Sequence, residues 1–316
     1  MAEVTGIAWT DSTFNPWIGC TKVGPGCDHC YAEALDKRHR WKGDTHWGVG
    51  KPRMRTSPGN WAKPLAWNRA LLKDGKTHRV FCASLADVFD NEVPLRWRQD
   101  LMSLVADTPA LTWLFLTKRI GMAKRMLSGA SDHRSFFLTS NDEYKPPANL
   151  WIGASVVNQE EADRDIPKLL ATPAAKRFVS YEPALGPIDF RPWLDPLPPI
   201  NGVEDDIGGK GIDWIIIGGE SKQGGVQARP FDIAWARSLQ EQCAWAGVPV
   251  FIKQLGSNPT CGLWSESFKL NDRAGADPAE WPDDLRVQEF PSVNPDGIDK
   301  QSAHSDAGKK RDGGEG

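Results

Sequence analysis

Three cysteines within eleven residues constrain this chain more than any other feature. The stretch Asn15–Tyr31 reads NPWIGCTKVGPGCDHCY and carries Cys20, Cys27 and Cys30 in the spacing C-x6-C-x2-C. The run Thr21-Lys22-Val23-Gly24-Pro25-Gly26 separates the first two, and its composition is that of a turn. Such a loop can wrap three thiolates around one centre. Thiolates are the soft ligands of iron–sulfur clusters and of zinc, and a closed site of either kind normally takes four protein ligands. The nearest candidate for a fourth, His29, stands between Asp28 and Cys30, where adjacent side chains tend to point apart. Three ligands with one position left open is therefore the expectation. A structural zinc loop, or ordinary buried cysteines, are the other readings of the same residues.

The chain of 316 residues is long enough for one barrel-sized domain or two smaller ones, with a large core. Its mean hydropathy is −0.46, no apolar run approaches a membrane span, and Met1-Ala2-Glu3-Val4 does not begin like a signal peptide. A cytoplasmic protein without membrane partners is expected. The remaining cysteines, Cys82, Cys243 and Cys261, are isolated and do not form the dense spacing of a secreted disulfide scaffold.

From residue 79 a strand–helix rhythm sets in. Apolar runs at Val80–Ser84, Leu111–Thr117, Leu150–Ser155, Arg177–Tyr181, Asp213–Gly218 and Val248–Lys253 read as strands. Between them, Pro94–Ala106, Gly121–Leu127, Gln159–Ala171 and Asp232–Trp245 read as helices, after Ala32–Trp41 and Trp61–Lys73. With Thr13–Ile18 as the first strand, six or seven parallel strands covered by helices are expected, an α/β partial barrel of the TIM type. Residues 1–296 form one such domain in this reading, with loop insertions at 42–60, 128–149 and 195–212. Residues 297–316 lack apolar periodicity and read as a disordered tail.

In such barrels chemistry sits where strands end. The first strand leads to the cysteines, and the second ends in Ser84 and then Asp87. The third ends in Thr117-Lys118-Arg119, the fourth in Ser155 and Asn158, and the fifth in Tyr181-Glu182. The sixth runs into Gly218-Gly219-Glu220-Ser221 and the seventh into Lys253-Gln254. Every strand thus delivers polar groups to one rim. Glu182 and Glu220 on neighbouring strands also permit a third reading, the acid and base of a glycoside hydrolase. No phosphate loop of the G-x-x-x-x-G-K-[ST] type and no H-E-x-x-H pattern is present.

The cysteine segment resembles the cluster loop of the radical S-adenosylmethionine (SAM) enzymes, which pair three cysteines with an aromatic residue near the last. Their common spacing is C-x3-C-x2-C, and this loop is longer. A wider resemblance is to a phage-associated family of uncharacterised proteins with a three-cysteine motif. It is carried by WTDSTFNPWIGC at 9–20, CDHCYAE at 27–33, SYEPALGPID at 180–189, GGES at 218–221 and EWPDDLRVQEFP at 280–291. The radical SAM resemblance implies a partial barrel in which Cys20, Cys27 and Cys30 hold a [4Fe–4S] cluster. One iron is then left for the amino and carboxylate groups of SAM, and an external donor supplies the electron. It also implies that Gly218, Gly219 and Glu220, with Ser221 beside them, hold the methionyl amine. In that group the GGE triplet follows the second strand, whereas here it follows the sixth, so Ser84 and Asp87 are rivals for the task. Ser155 joins the cofactor-binding candidates, and Lys118, Glu182 and Lys253 are the candidates for substrate binding or proton return.

Residues 37–79 carry twelve lysines and arginines against Asp44 and Asp74, interleaved with Trp41, Trp47, Trp61 and Trp67. Fifteen tryptophans is a high number for the length. Cations among large aromatics suit phosphate contact and base stacking, so a nucleotide or nucleic acid is the expected partner. A solvated basic face above buried tryptophans is the competing reading. A nucleic-acid-binding protein with a zinc-stabilised cysteine loop is the corresponding alternative to an enzyme.

Overall fold

The alternation of apolar runs and helical patterns resolves into a single main sheet. The computed structural model describes residues 5–74, 76, 78–127, 146–194, 211–223, 225–262 and 270–292. Seven parallel strands form the sheet: β1 (Ser12–Thr13), β2 (His78–Cys82), β3 (Leu111–Thr117), β4 (Leu150–Ser155), β5 (Lys176–Tyr181), β6 (Trp214–Gly218) and β7 (Val250–Gln254). They pair in chain order, and the sheet curls into a half-barrel. Helices occupy the crossovers: α1 (Tyr31–His39), α2 (Pro58–Asp74), α3 (Leu95–Ala106), α4 (Ile120–Leu127), α5 (Gln159–Leu170), the short α6 (Arg191–Leu194) and α7 (Ile233–Ala246).

Strand side chains alternate between two faces, and here both faces are apolar, as a sheet covered on both sides requires. One set, including Val80, Phe115, Ile152, Val179, Ile215 and Ile252, packs against Leu101, Ile166, Leu239 and other residues of the helices. The other set, Phe81, Leu114, Trp151, Phe178, Trp214, Ile216 and Phe251, packs on itself and on Trp9. Trp9 meets Phe81 at a ring separation of 4.6 Å, Trp214 at 6.2 Å and Phe178 at 6.3 Å. Large aromatic rings thus fill the inside of the half-barrel. At Gly153 of β4 the Phe178 ring occupies the space where a Cβ would stand, 2.4 Å from that position.

Local signals set the helix ends. Asn158 caps α5, its side chain accepting from the Glu161 amide at 2.9 Å, and Asp232 caps α7 by accepting from Ala234 at 2.9 Å. Gly247 closes α7 in the left-handed conformation. Asn158, read from sequence as a rim residue, therefore has a capping role.

Two expectations are corrected. Thr13–Ile18 is not one strand: Ser12–Thr13 pairs with β2, whereas Trp17–Ile18 pairs antiparallel with Met54–Arg55. Pro16 lies between the two and has no N–H to continue a ladder. The segment 42–60 is not a plain loop, because it contains that paired strand and the start of α2 at Pro58. The insertions expected at 128–149 and 195–212 fall mostly outside the described residues, and the tail at 297–316 falls wholly outside them. No helix among the described residues is long and apolar enough to cross a membrane.

Candidate functional site

Following the inward-facing positions along each strand leads from aromatic floor to polar rim. On β3 the series Leu114, Leu116 continues to Lys118, and on β4 Trp151, Gly153 continues to Ser155. On β5 Phe178 is followed by Ser180 and Glu182, and on β7 Phe251 by Lys253. The period of two that builds the core therefore also aims these groups into one space. That space is a cavity of about 770 Å³, and Cys20, Cys27, Cys30, Ser84, Asp87, Lys118, Ser155, Glu182, Gly219, Glu220, Ser221 and Lys253 all line it. Gly218 lies behind this wall, where a Cβ would meet Glu182 Oε1 at 2.5 Å.

The three cysteines reach the cavity from different local structures. Cys20 follows Gly19, whose φ of +113° and close approach to the His46 carbonyl oxygen, 2.5 Å from the Cβ position, exclude a side chain. Cys27 ends a 3-10 turn at Pro25–Cys27, and Cys30 stands at the N-cap of α1. Arg119 Nη1 lies 3.2 Å from Cys20 Sγ, and its Nη2 donates to the Thr21 carbonyl at 2.6 Å. Burial pushes the Cys20 thiol up to about 12, with Asp87 adding to the effect and Arg119 opposing it, and burial also raises Cys30. Among the described residues no three His, Cys, Asp or Glu side chains already converge as a metal site. The donor set nonetheless fits an iron–sulfur cluster in kind: three soft ligands on one cavity wall, whose protons a metal would displace on binding.

Both carboxylates proposed for the methionyl amine are already engaged. Asp87 accepts from Thr117 Oγ1 at 2.7 Å, from the amides of Phe89 and Lys118 at 2.9 and 3.1 Å, and lies 3.4 Å from Arg119. Glu220 accepts from the Arg229 amide at 2.9 Å and from its Nη2 at 2.6 Å, and lies 2.8 Å from His29 Nδ1. Burial works against the charge on Glu220, but Arg229 and His29 outweigh it and hold the carboxyl below its usual value of 4.5. A general acid needs the opposite shift, which speaks against Glu220 as the acid of a hydrolase pair. Sequence reasoning missed Arg229 altogether and treated His29 only as an awkward metal ligand. His29 lines the same cavity, and its Nδ1 meets the Glu220 carboxylate just past β6, so the cysteine loop is clasped to the GGE turn.

The other polar groups are also paired among themselves. Lys118 Nζ donates to Ser155 Oγ and lies 3.5 Å from the Glu182 carbonyl oxygen, to which Ser155 donates at 3.2 Å. Lys253 Nζ pairs with Glu182 Oε1 at 3.0 Å, and Ser180 donates to Oε2 at 3.2 Å. Ser84 receives Tyr31 OH on its carbonyl at 2.6 Å, and its hydroxyl accepts from Asn15 Nδ2 at 3.0 Å. Gln254 donates to Ser221 Oγ at 2.8 Å and to the Gly219 carbonyl at 2.7 Å.

The basic, tryptophan-rich stretch divides in two. Arg53 is fully buried, ion-paired with Asp90 at 2.8 Å and Glu92 at 3.1 Å, and it donates to the carbonyls of His46, Gly48 and Lys51. Arg55 pairs with Asp100 at 2.7 Å and covers the Trp61 ring at 4.2 Å, while Trp67 is core. Lys37, Arg38, Arg40, Lys42 and Lys51 remain exposed, and Trp41 and Trp47 are half-buried.

No curated protein and no solved structure matches the chain. A family described as protein of unknown function (DUF5131) matches residues 4–313, nearly the whole length, and the chain belongs to that family.

Proposed function

We propose that the protein is an iron–sulfur enzyme of the radical SAM type. The observation that carries this reading is the opening of three thiols from one loop into a 770 Å³ cavity at the polar end of a half-barrel. Cys20, Cys27 and Cys30 would hold the [4Fe–4S] cluster. Bound there and reduced by an external donor, such a cluster would supply one electron for the reductive cleavage of SAM, the chemistry by which this type of enzyme abstracts hydrogen from a substrate.

The chain's own contribution is positioning. Ser84, Ser155, Gly219 and Ser221 offer hydroxyl and backbone groups to the cofactor along the cavity wall. Asp87 and Glu220 act one step removed, by fixing Arg119 and the cysteine loop. The Lys253–Glu182 pair faces the cavity and is suited to hold or return a proton, and Lys118 presents a cation to an anionic substrate. The substrate in this reading is a nucleotide or nucleic acid, met by the exposed part of residues 37–79.

The test is anaerobic purification and reconstitution, followed by iron, sulfide and zinc analysis and an assay for 5′-deoxyadenosine from SAM. About four irons and four sulfides per chain, with SAM cleavage lost in Cys27→Ala, is the expected result. A colourless protein with stoichiometric zinc would instead support the nucleic-acid-binding alternative.

A further inference from the structure

A second cavity, of about 790 Å³, adjoins the first: Thr5, Thr13, Asn15 and Leu85 line both. Its far wall comes from the stretch 41–63 and includes Trp41, Lys42, Arg55, Ser57 and Lys63. Three cations and no carboxylate line it among the described residues. Arg55 already holds Asp100 and Lys63 is also engaged, whereas Lys42 is exposed. Trp41 stacks on His39 with ring centroids 5.2 Å apart and planes 20° apart, which holds the indole flat against its neighbour.

We propose that this cavity is the binding subsite for a nucleoside phosphate, free or at the end of a single strand. The phosphate sits by Lys42, the base stacks on Trp41 and the Ser57 hydroxyl faces the sugar, whereas the Thr56 hydroxyl and the Asn60 amide are taken up by the Asn15 and Pro16 carbonyls and by each other. Each element answers one part of the ligand: the exposed Lys42 ammonium answers a phosphate, and a flat indole answers a base. The volume is that of a site for a molecule of nucleotide size. The shared wall at Thr13, Asn15 and Leu85 leads from this subsite to the cysteines, so the inference names the substrate class of the site and rests on the proposed function only for that link.

The full chain is titrated by calorimetry with 5′-AMP, adenosine, inorganic phosphate and a 5′-phosphorylated single-stranded hexanucleotide, without cluster or SAM. AMP should bind more tightly than adenosine or phosphate. Lys42→Glu and Trp41→Leu should each weaken it by roughly tenfold or more, and Trp41→Phe should restore most of the loss. A hexanucleotide that binds tighter, with a steep salt dependence, assigns a strand end, whereas equal affinity assigns a free nucleotide. Absence of AMP binding, or affinity unchanged in Lys42→Glu, overturns the proposal. Lys42 is exposed, so that variant tests the site even if Trp41→Leu folds poorly. Because the titration needs no cluster, its failure leaves the metal analysis standing, and a zinc-loaded protein leaves the titration standing.

Discussion

Arg119 Nη1 sits 3.2 Å from the sulfur of Cys20, with the Asp87 carboxylate 3.4 Å behind it. Burial works against the guanidinium charge, but Asp87 and Cys20 outweigh it and keep the group firmly protonated. A fixed cation donating to a ligand sulfur favours the more negative, reduced state of a cluster. If the proposed cluster forms on Cys20, Cys27 and Cys30, Arg119→Gln should therefore shift its midpoint potential downward at unchanged iron content. A redox titration followed by electron paramagnetic resonance measures it, and equal potentials in the two proteins would remove Arg119 from this role.

The clasp between His29, Glu220 and Arg229 should matter to stability as well as to loop order. Glu220→Ala leaves the Arg229 amide and guanidinium without their carboxylate, at a cost of about 1–3 kcal/mol in urea unfolding. Hydrogen exchange of residues 26–30 should accelerate in the same variant.

The same carboxylate gives a pH dependence. Its folded value lies below the ordinary 4.5, so the unfolded chain takes up the proton first as pH falls. The stability contributed by Glu220 is complete above about pH 4.5 and is lost as pH falls through the depressed folded value. The difference in stability between wild type and Glu220→Gln should shrink across that acid window. A gap that widens on acidification would contradict the assignment.

Arg53 offers a contrast between charge and exposure. Removing it leaves Asp90 buried without its partner, and Arg53→Ala should cost about 3–5 kcal/mol. Its Nη2 also donates to Thr21 Oγ1 at 2.7 Å, beside Cys20, so loading of the proposed cluster should fall in parallel. Thermal unfolding and iron analysis check both effects; a loss below about 1 kcal/mol would mean that the buried network is not formed.

Neighbouring glycines of the GGES turn should behave differently. At Gly219 a Cβ would stand 2.4 Å from the Leu255 carbonyl oxygen, so backbone must move, and Gly219→Ala should destabilise by about 1–3 kcal/mol. At Gly218 the obstacle is the Glu182 carboxylate, which can swing aside. Gly218→Ala should leave the unfolding midpoint nearly unchanged while disturbing the Glu182–Lys253 pair, which a change in substrate or proton-exchange kinetics reports.

The seven-strand rhythm and the polar rim were legible because both follow from a period of two on apolar strands. What escaped the sequence depends on contacts between distant residues. Arg53, in a stretch rich in glycine, proline and lysine, looks solvated until Asp90 is folded onto it. Asp87 and Glu220 look like free ligand groups until Thr117, Arg119 and Arg229 arrive. The break after Thr13 was readable in Pro16, and the apolar Phe14, Trp17 and Ile18 on either side of it concealed the change of partner. Many of the tryptophans were needed by the core: Trp9, Trp17, Trp113 and Trp214 are all buried.

The aromatic packing of Trp9, Trp151, Trp214 and Phe251 inside the half-barrel makes the cysteine cavity a cul-de-sac. A through-channel would let cofactor and substrate arrive from opposite ends, whereas a blind chamber imposes a queue. The molecule seated deepest must enter first and leave last. Two ligands should then show ordered rather than random binding, which product-inhibition patterns distinguish, and the outer ligand should slow release of the inner one.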